Sequence, residues 1–190
     1  MRILVFIVLL SVITGCATLP QHPGGKEFTQ PGVSFTPPVG NQWSILGLST
    51  YQTVLMTKGK DANESYIVAT QIFQIPTFAS KDEFLQFVRK GRASEPQTGR
   101  FETIKNEEIL YEQREETCVK HRAASKDYGA KSGGEYSIYE TYGMNCIHSK
   151  NSKVGVFIEF SRKAPAGSSN TEFDGLGENL LKSVRFTEFR

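Results

Sequence analysis

Apolar and polar residues alternate along most of the chain beyond residue 33, and this two-residue period is typical of strands with one buried face. The clearest strand is 65–75, where Val68, Thr70 and Ile72 share one face and Pro76 ends the run. Strands are predicted at 33–36, 51–57, 65–75, 101–105, 109–113, 117–126, 135–147 and 153–162. The last of these alternates throughout, so we expect it near the centre of a sheet.

Two segments carry the start signals of helices. Ser80-Lys81-Asp82-Glu83 matches a capping box, and Lys90-Gly91 supplies the cation and the glycine that favour a helix end. A second capping box occurs at 169–172, and apolar residues then recur at helical spacing as far as Val184. The pattern therefore predicts helices over 80–91 and 169–184.

Long runs of strands flanked by two helices predict an α+β fold class, with an antiparallel β-sheet covered by two or more helices. We expect a single globular domain over 33–190, because the 175 residues beyond the first 15 are enough for one core and too few for two. Trp43, in an irregular stretch, is expected to fill that core.

The entry strand, Gly32-Val33-Ser34-Phe35 with Pro37-Pro38 and Trp43 after it, resembles that of PsbP-like domains. The helix that follows a long strand and the closing segment 180–186 also resemble that family. The resemblance covers most of 32–187 and implies a binding or accessory module rather than one chemistry. No functional residue of the family transfers to this chain.

Residues 1–15 have the order of a secretory signal peptide, with Arg2 first, then an apolar run, then small residues. The run is too short to cross a bilayer, which takes about 20 apolar residues. Its end, Ile13-Thr14-Gly15-Cys16, resembles the lipobox of bacterial lipoproteins. That resemblance implies cleavage before Cys16 and acyl chains attached to it. The alternatives are an ordinary signal peptide with an incidental cysteine, and a short core helix.

Residues 16–32 contain several prolines and glycines but no periodic apolar positions, so they predict a flexible tether between the lipid and the domain. Ala17 stands where enterobacterial lipoproteins retained at the inner membrane have Asp. The resemblance therefore favours the outer membrane, facing the periplasm, if the host is Gram-negative. The membrane, reached through the lipid on Cys16, is the first expected partner.

The formal net charge is +2 and falls to +1 when Arg2 leaves with the signal peptide. Basic and acidic residues interleave, so the chain lacks the basic stripe of a nucleic-acid-binding protein. Thirteen phenylalanines favour a folded core over a disordered chain.

The two cysteines beyond the lipobox, Cys118 and Cys146, belong to a chain that is expected to reach an oxidising compartment. Segment 129–134 predicts a hairpin turn, and a hairpin that pivots on Ser132 places Cys118 opposite Cys146. Facing residues of a non-hydrogen-bonded pair have Cα atoms about 4.5 Å apart, which suits a disulfide. A redox or metal site competes with this interpretation, but there is no C-x-x-C and there are too few ligands for zinc.

The histidines show no catalytic arrangement. His22 lies in the predicted tether. With the same pivot, His121 faces Gly143 and His148 faces Glu116, so no histidine has an evident orienting partner. We therefore expect each histidine to be solvated or satisfied within the structure.

The acidic pairs Glu107-Glu108 and Glu115-Glu116 split across the two faces of a strand, which argues against paired acid–base work. The sequence contains no G-x-S-x-G, H-E-x-x-H or phosphate-binding glycine loop. We assign no catalytic residue, no cofactor and no metal.

Tyr136, Tyr139 and Tyr142 lie in one predicted strand and could form an aromatic binding face, although strands also favour tyrosine for packing. The expected function is that of a membrane-anchored envelope lipoprotein with a non-catalytic domain, which binds an envelope protein or a small ligand. The alternative is an envelope hydrolase whose active-site residues are dispersed along the chain.

Overall fold

The computed structural model describes residues 18–93, 99–129, 136–168 and 170–189. The predicted signal peptide, the lipobox with Cys16, the hairpin pivot Ser132 and the first residue of the second capping box, Ser169, lie outside these ranges. No helix within them is long and apolar enough to span a bilayer.

The described residues form eleven strands and two helices. In chain order they are β1 (Gln21–Pro23), β2 (Phe28–Gln30), β3 (Val33–Phe35), β4 (Gln42–Leu48), β5 (Gln52–Lys58), β6 (Ser65–Gln74), α1 (Lys81–Ala93), β7 (Phe101–Leu110), β8 (Cys118–Asp127), β9 (Ser137–His148), β10 (Asn151–Pro165), α2 (Phe173–Ser183) and β11 (Arg185–Phe186).

Eight strands form one antiparallel sheet in the order β1-β4-β5-β6-β10-β9-β8-β7, and three short ones form a second sheet in the order β11-β3-β2. β10 pairs with β6 on one side and β9 on the other, which confirms the predicted central position of this strand. The connection through α1 carries the chain from β6 to β7 at the sheet edge, so it passes over one face of β10, β9 and β8.

The two faces of the large sheet carry separate apolar clusters. Cys118 belongs to the cluster that includes α2 and β3, whereas the next residue, Val119, belongs to the cluster that includes Phe84 and Val88 of α1. Because successive residues of a strand point to opposite faces, α1 and α2 lie on opposite sides of the sheet.

The predicted α+β class, with helices covering the sheet, is wrong, because the domain is mainly β. The two helices have 13 and 11 residues, whereas β10 alone has 15. Each helix covers part of one face, and the small second sheet packs on the α2 side with Phe35 in the core. Capping boxes indicate that helices exist but not how much of a sheet they cover, and this explains the error.

Residues 21–32 belong to the fold, so the prediction of a flexible tether over 16–32 is wrong for this part of it. β1 pairs with β4, β2 pairs with β3, and Phe28 of β2 lies in the main core. Gly25 and Gly32 have φ of 76° and 85°, which side chains disfavour, and they turn the chain beside these short strands. The glycines here form tight turns rather than a linker.

The helix predicted at 80–91 is α1. Ser80 caps it as predicted, since Ser80 Oγ accepts a hydrogen bond from Glu83 N at 3.2 Å. Glu83 Oε2 accepts a bond from Ala79 N at 2.7 Å, one residue before the Ser80 N–H that a capping box uses. The second helix begins later than predicted, at Phe173, and Glu172 caps it without a side-chain hydrogen bond.

The separate strands predicted at 101–105 and 109–113 are one strand, β7, with a bulge between Thr103 and Lys105. Polar residues separate the two predicted strands. They are tolerated because β7 is an edge strand and most of it is exposed, and charged residues on an edge strand also discourage pairing with other chains. β4 was not predicted at all; its Trp43 is buried in the core, as expected.

Candidate functional site

The β8–β9 hairpin has the predicted register. Cys118 faces Cys146 with Cα atoms 4.1 Å apart, and the two sulfurs form a disulfide. The same register places His121 opposite Gly143. The disulfide therefore joins the two strands that position the polar residues described next.

His121 has an orienting partner that its own hairpin does not contain. Gly143 faces His121 on β8 and Glu159 on β10, so the three residues form a row across three strands. His121 Nε2 lies 3.0 Å from Glu159 Oε2. A Cβ atom at Gly143 would lie 2.6 Å from His121 Nε2, so the imidazole can reach Glu159 because residue 143 has no side chain.

The prediction that no histidine has an orienting partner is therefore wrong for His121. Glu159 lies 38 residues away and belongs to a strand outside the hairpin on which the prediction was based. The sequence did contain one indication of this contact. In the predicted hairpin His121 faces a glycine, and a position without a side chain leaves space for the imidazole to extend across β9 to the next strand.

The His121 ring is fully buried, with 0% of it exposed, and it stacks on Phe157 with centroids 5.9 Å apart. Its Nδ1 atom has no hydrogen-bond partner among the described residues. The ring donates from Nε2 to the Glu159 carboxylate.

A groove of about 1190 Å³ lies above this row, on the α1 side of the sheet. α1 packs over Val119, but a 13-residue helix is only about 20 Å long, and the described residues leave the rest of this face uncovered. The floor of this α1 groove includes Ser125, Tyr139, Thr141, Asn145, Phe157 and Glu159, and its sides include Phe87, Arg92, Phe101, Thr103 and Asn106.

The other charged groups of the α1 groove have partners. Arg92 Nε lies 3.1 Å from Glu108 Oε1, and Glu102 lies 2.7 Å from Lys126 Nζ. Hydrogen bonds from Lys126, and then from Tyr128, hold the pKa of Glu102 below its usual range. Glu159 is the one carboxylate among the described residues of the floor, and it contacts the His121 imidazole rather than a lysine or an arginine.

Thr141 adds a second polar group to the floor. It is 6% exposed, and its Oγ1 atom has no hydrogen-bond partner among the residues that the structure describes. Most buried polar side-chain atoms in proteins are paired, so an unpaired hydroxyl that lines a groove indicates a position where a bound group can hydrogen-bond.

The three predicted tyrosines do not form one binding face. Tyr139 lies on the floor of the α1 groove, with its ring 6.1 Å from that of Phe101. Tyr142 is buried on the opposite face, and Tyr136 packs edge-on against Tyr128. Residues three apart in a strand point to opposite faces, so the spacing of Tyr139 and Tyr142 excludes a shared surface.

Tyr142 belongs to a polar cluster that fastens α2 to the sheet. Its hydroxyl and that of Tyr111 donate to Glu178 at 2.5 and 2.6 Å, and Lys120 Nζ lies 3.4 Å from the same carboxylate. Burial, together with the hydrogen bond to Glu178, raises the pKa of both tyrosines. This cluster is structural, because each charge in it has a partner.

The remaining candidate residues have structural contacts. His148 is buried; its Nε2 donates to Gly32 O at 2.8 Å, and its Nδ1 accepts from Lys150 N at 3.1 Å. His22 lies in β1, with Nε2 3.0 Å from Lys26 O.

Of the acidic pairs, Glu108 binds Arg92 and Glu116 binds Arg114. No group of three or more His, Cys, Asp or Glu residues in the described chain could hold a metal ion.

No protein-family model matches the chain, and no curated protein matches it in sequence. Among solved structures, the chain is similar to the Saccharomyces cerevisiae Ran-binding protein Mog1p, with a TM-score of 0.48 and 12% identity over 88% of this chain and 97% of that one. It is similar to a point mutant of protein Mog1, with a TM-score of 0.49 and 12% identity over 86% and 96% of the two chains. The resemblance to PsbP-like domains stays a prediction.

Proposed function

We propose that this chain is a lipid-anchored envelope protein whose domain binds a ligand in the α1 groove and performs no chemistry on it. The sequence of residues 1–16 supports the anchor. The observation that carries the binding function is the pair of polar groups on the groove floor, the Glu159 carboxylate and the unpaired Thr141 hydroxyl. A floor that needs hydrogen-bond partners favours an occupant over an empty cleft.

The His121–Glu159 pair is the observation that favours the alternative, an envelope hydrolase, because a carboxylate commonly orients a catalytic histidine. A general base must lie within hydrogen-bonding distance of the proton it removes. Glu159 holds Nε2, so Nδ1 is the nitrogen that would act, and it lies on a ring with no exposed surface from which it could reach a substrate. The pair therefore supports the groove floor and leaves Glu159, at 15% exposure, as the group that a ligand can reach.

Photo-crosslinking in intact cells tests the groove as the binding site. A photoreactive amino acid replaces Asn106, which lines the groove, or Glu107, the next residue of β7. Asn106 faces Ala123 and Glu107 faces Arg122, so the two positions lie on opposite faces of one exposed strand. We expect adducts from position 106 and few from position 107.

A groove-blocking variant completes the test. Asn106→Trp should reduce recovery of the crosslinked species from a second groove position, Thr103, whereas Glu107→Trp should not. Equal adducts from both faces, or no change with Asn106→Trp, would contradict binding in the groove. Hydrolysis of an ester, peptide or glycoside substrate that is lost in His121→Ala would instead support the hydrolase.

A further inference from the structure

The charge on the groove floor points to the chemistry of the ligand. Glu159 accepts a hydrogen bond from His121 Nε2, and Arg92 on the groove side is already paired with Glu108. No lysine or arginine of the described chain pairs with the Glu159 carboxylate on the floor. A largely buried carboxylate without a lysine or arginine partner is unfavourable, so a cation supplied by a ligand would be bound strongly.

The position of Thr141 indicates which kind of cation fits the groove floor. Glu159 faces Gly143, and Thr141 lies two residues along the same strand, so Glu159 and Thr141 are diagonal neighbours on adjacent strands. Such neighbours are about 7–8 Å apart. A guanidinium has five N–H donors in a planar fork, so one group can donate to the carboxylate and to the Thr141 hydroxyl together. An ammonium offers three donors around one point and spans a shorter distance.

The surroundings of the two polar groups are aromatic. Tyr139 and Phe157 share the floor with them, and Phe73 and Phe101 line the groove beside it. A guanidinium stacks on aromatic faces and is attracted to their electron density. Aromatic walls around a carboxylate are therefore suited to an organic cation more than to a hydrated metal ion.

We infer that the ligand of the α1 groove is a peptide segment that places an arginine side chain on Glu159 and Thr141, an inference that rests on the proposed function. The groove volume of about 1190 Å³ exceeds the range of about 300–1,000 Å³ typical of small-molecule pockets. It accommodates an arginine with flanking residues. The Glu159 carboxylate selects the charge, and the aromatic walls bind the apolar parts of the neighbouring residues.

Calorimetry with matched peptides tests this inference on the mature protein in detergent micelles. The probes are the acetylated, amidated tripeptide Phe-Arg-Phe and the same peptide with citrulline, which has nearly the shape of arginine but no charge. We expect the arginine peptide to bind about ten-fold more tightly or better, because only the guanidinium brings a positive charge to the Glu159 carboxylate and a pair of ionised groups is stronger than a bond with one. Equal affinities for the two peptides, or binding of neither, would overturn the inference.

Two variants assign the discrimination to the groove. Glu159→Gln keeps the size of the side chain and should reduce the preference for arginine to about two-fold or less, since the attraction between opposite charges is lost. Glu107→Gln removes an exposed carboxylate on the other face of the sheet and should leave the preference unchanged. A preference that persists in Glu159→Gln would place the cation elsewhere and contradict the inference.

The comparison of the two peptides on the wild-type protein shows whether binding requires the positive charge, even if Glu159→Gln does not fold.

Different results would contradict the inference about arginine and the proposed binding function. Groove crosslinks from position 106 without arginine preference would leave the binding function intact and exclude this ligand class. Absence of those crosslinks in cells would contradict the binding function itself.

Discussion

His121 and Glu159 meet at 3.0 Å across a strand to which neither belongs, with Gly143 of that strand between them. The contact ties β8 to β10 through a buried hydrogen bond and holds the carboxylate on the groove floor. Both the stability of the central sheet and the shape of the α1 groove therefore depend on a residue that has no side chain.

Gly143→Ala should destabilise the protein by about 1–3 kcal/mol, the usual effect of overpacking a core. The new Cβ would lie 2.6 Å from His121 Nε2 and 2.6 Å from the backbone oxygen of Ile158, and the backbone cannot move aside easily. Gly47→Ala is the matched control, because a Cβ at that strand glycine meets Val54 at an ordinary 3.8 Å. Chemical denaturation measures both, and an equal effect of the two changes would contradict the role given to Gly143.

Asp127→Asn should lower the free energy of unfolding by about 1–3 kcal/mol at pH 7, because charged hydrogen bonds are lost from a buried site. Asp127 is 2% exposed and contacts Arg100 at 2.6 Å and Lys163 at 3.3 Å. Hydrogen bonds from Arg100 hold the pKa of Asp127 well below its usual range, although burial opposes this; the Gly129 amide and Lys163 lower the pKa further.

The sign of the pH dependence follows from the lowered pKa. As the pH falls, Asp127 is protonated at a higher pH in the unfolded chain than in the folded protein. The stabilisation by the Asp127 carboxylate is therefore fully present above about pH 4, and it is lost as the pH falls through the pKa of Asp127 in the folded protein. Unfolding curves of wild type and Asp127→Asn should therefore converge in acid. Glu112→Gln, an exposed carboxylate 3.9 Å from Lys81, is the control and should change stability by less than about 1 kcal/mol. Curves that stay equally far apart at low pH would exclude this account.

Tyr142→Ala should lower stability by several kcal/mol, about 3–5, as is usual for a buried aromatic residue. The ring is buried on the α2 side and its hydroxyl donates to Glu178.

Tyr139→Ala removes a ring from the floor of the α1 groove and should weaken groove crosslinking more than Tyr142→Phe does. Melting temperature together with crosslink recovery separates the two tyrosines. Loss of crosslinking in Tyr142→Phe at normal stability would contradict the assignment.

Cys16→Ala should leave a full-length precursor that is neither lipidated nor cleaved, because the thiol is the group that the lipobox presents for acylation. Metabolic labelling with a radioactive fatty acid, followed by gel analysis, measures both effects. Cys118→Ala is the control, since it removes a disulfide cysteine and should leave the label in place. Equal label in wild type and Cys16→Ala would refute the anchor.

The sequence by itself determined the features that depend on residues close together in the chain, namely most strands, the first helix and the register of one hairpin. Strand alternation located most of β5 to β10, and the Ser80 capping box located α1. The turn predicted from the sequence of 129–134 gave the correct register, in which Cys118 faces Cys146. In each case the deciding forces act within a few residues, or within one hairpin, so a linear pattern records them.

Only the tertiary structure decided the order of the strands in the sheet and the position of the α1 groove on its face. The pairing of β10 with both β6 and β9 brings Glu159 to His121, and the passage of α1 over a sheet longer than itself leaves the groove above them. The same non-local packing recruits Phe28 from the predicted tether into the core. Such contacts form because apolar surfaces that are distant in the sequence are buried against each other. The hydrophobic free energy of this burial depends on the whole fold and cannot be read from one segment of the chain.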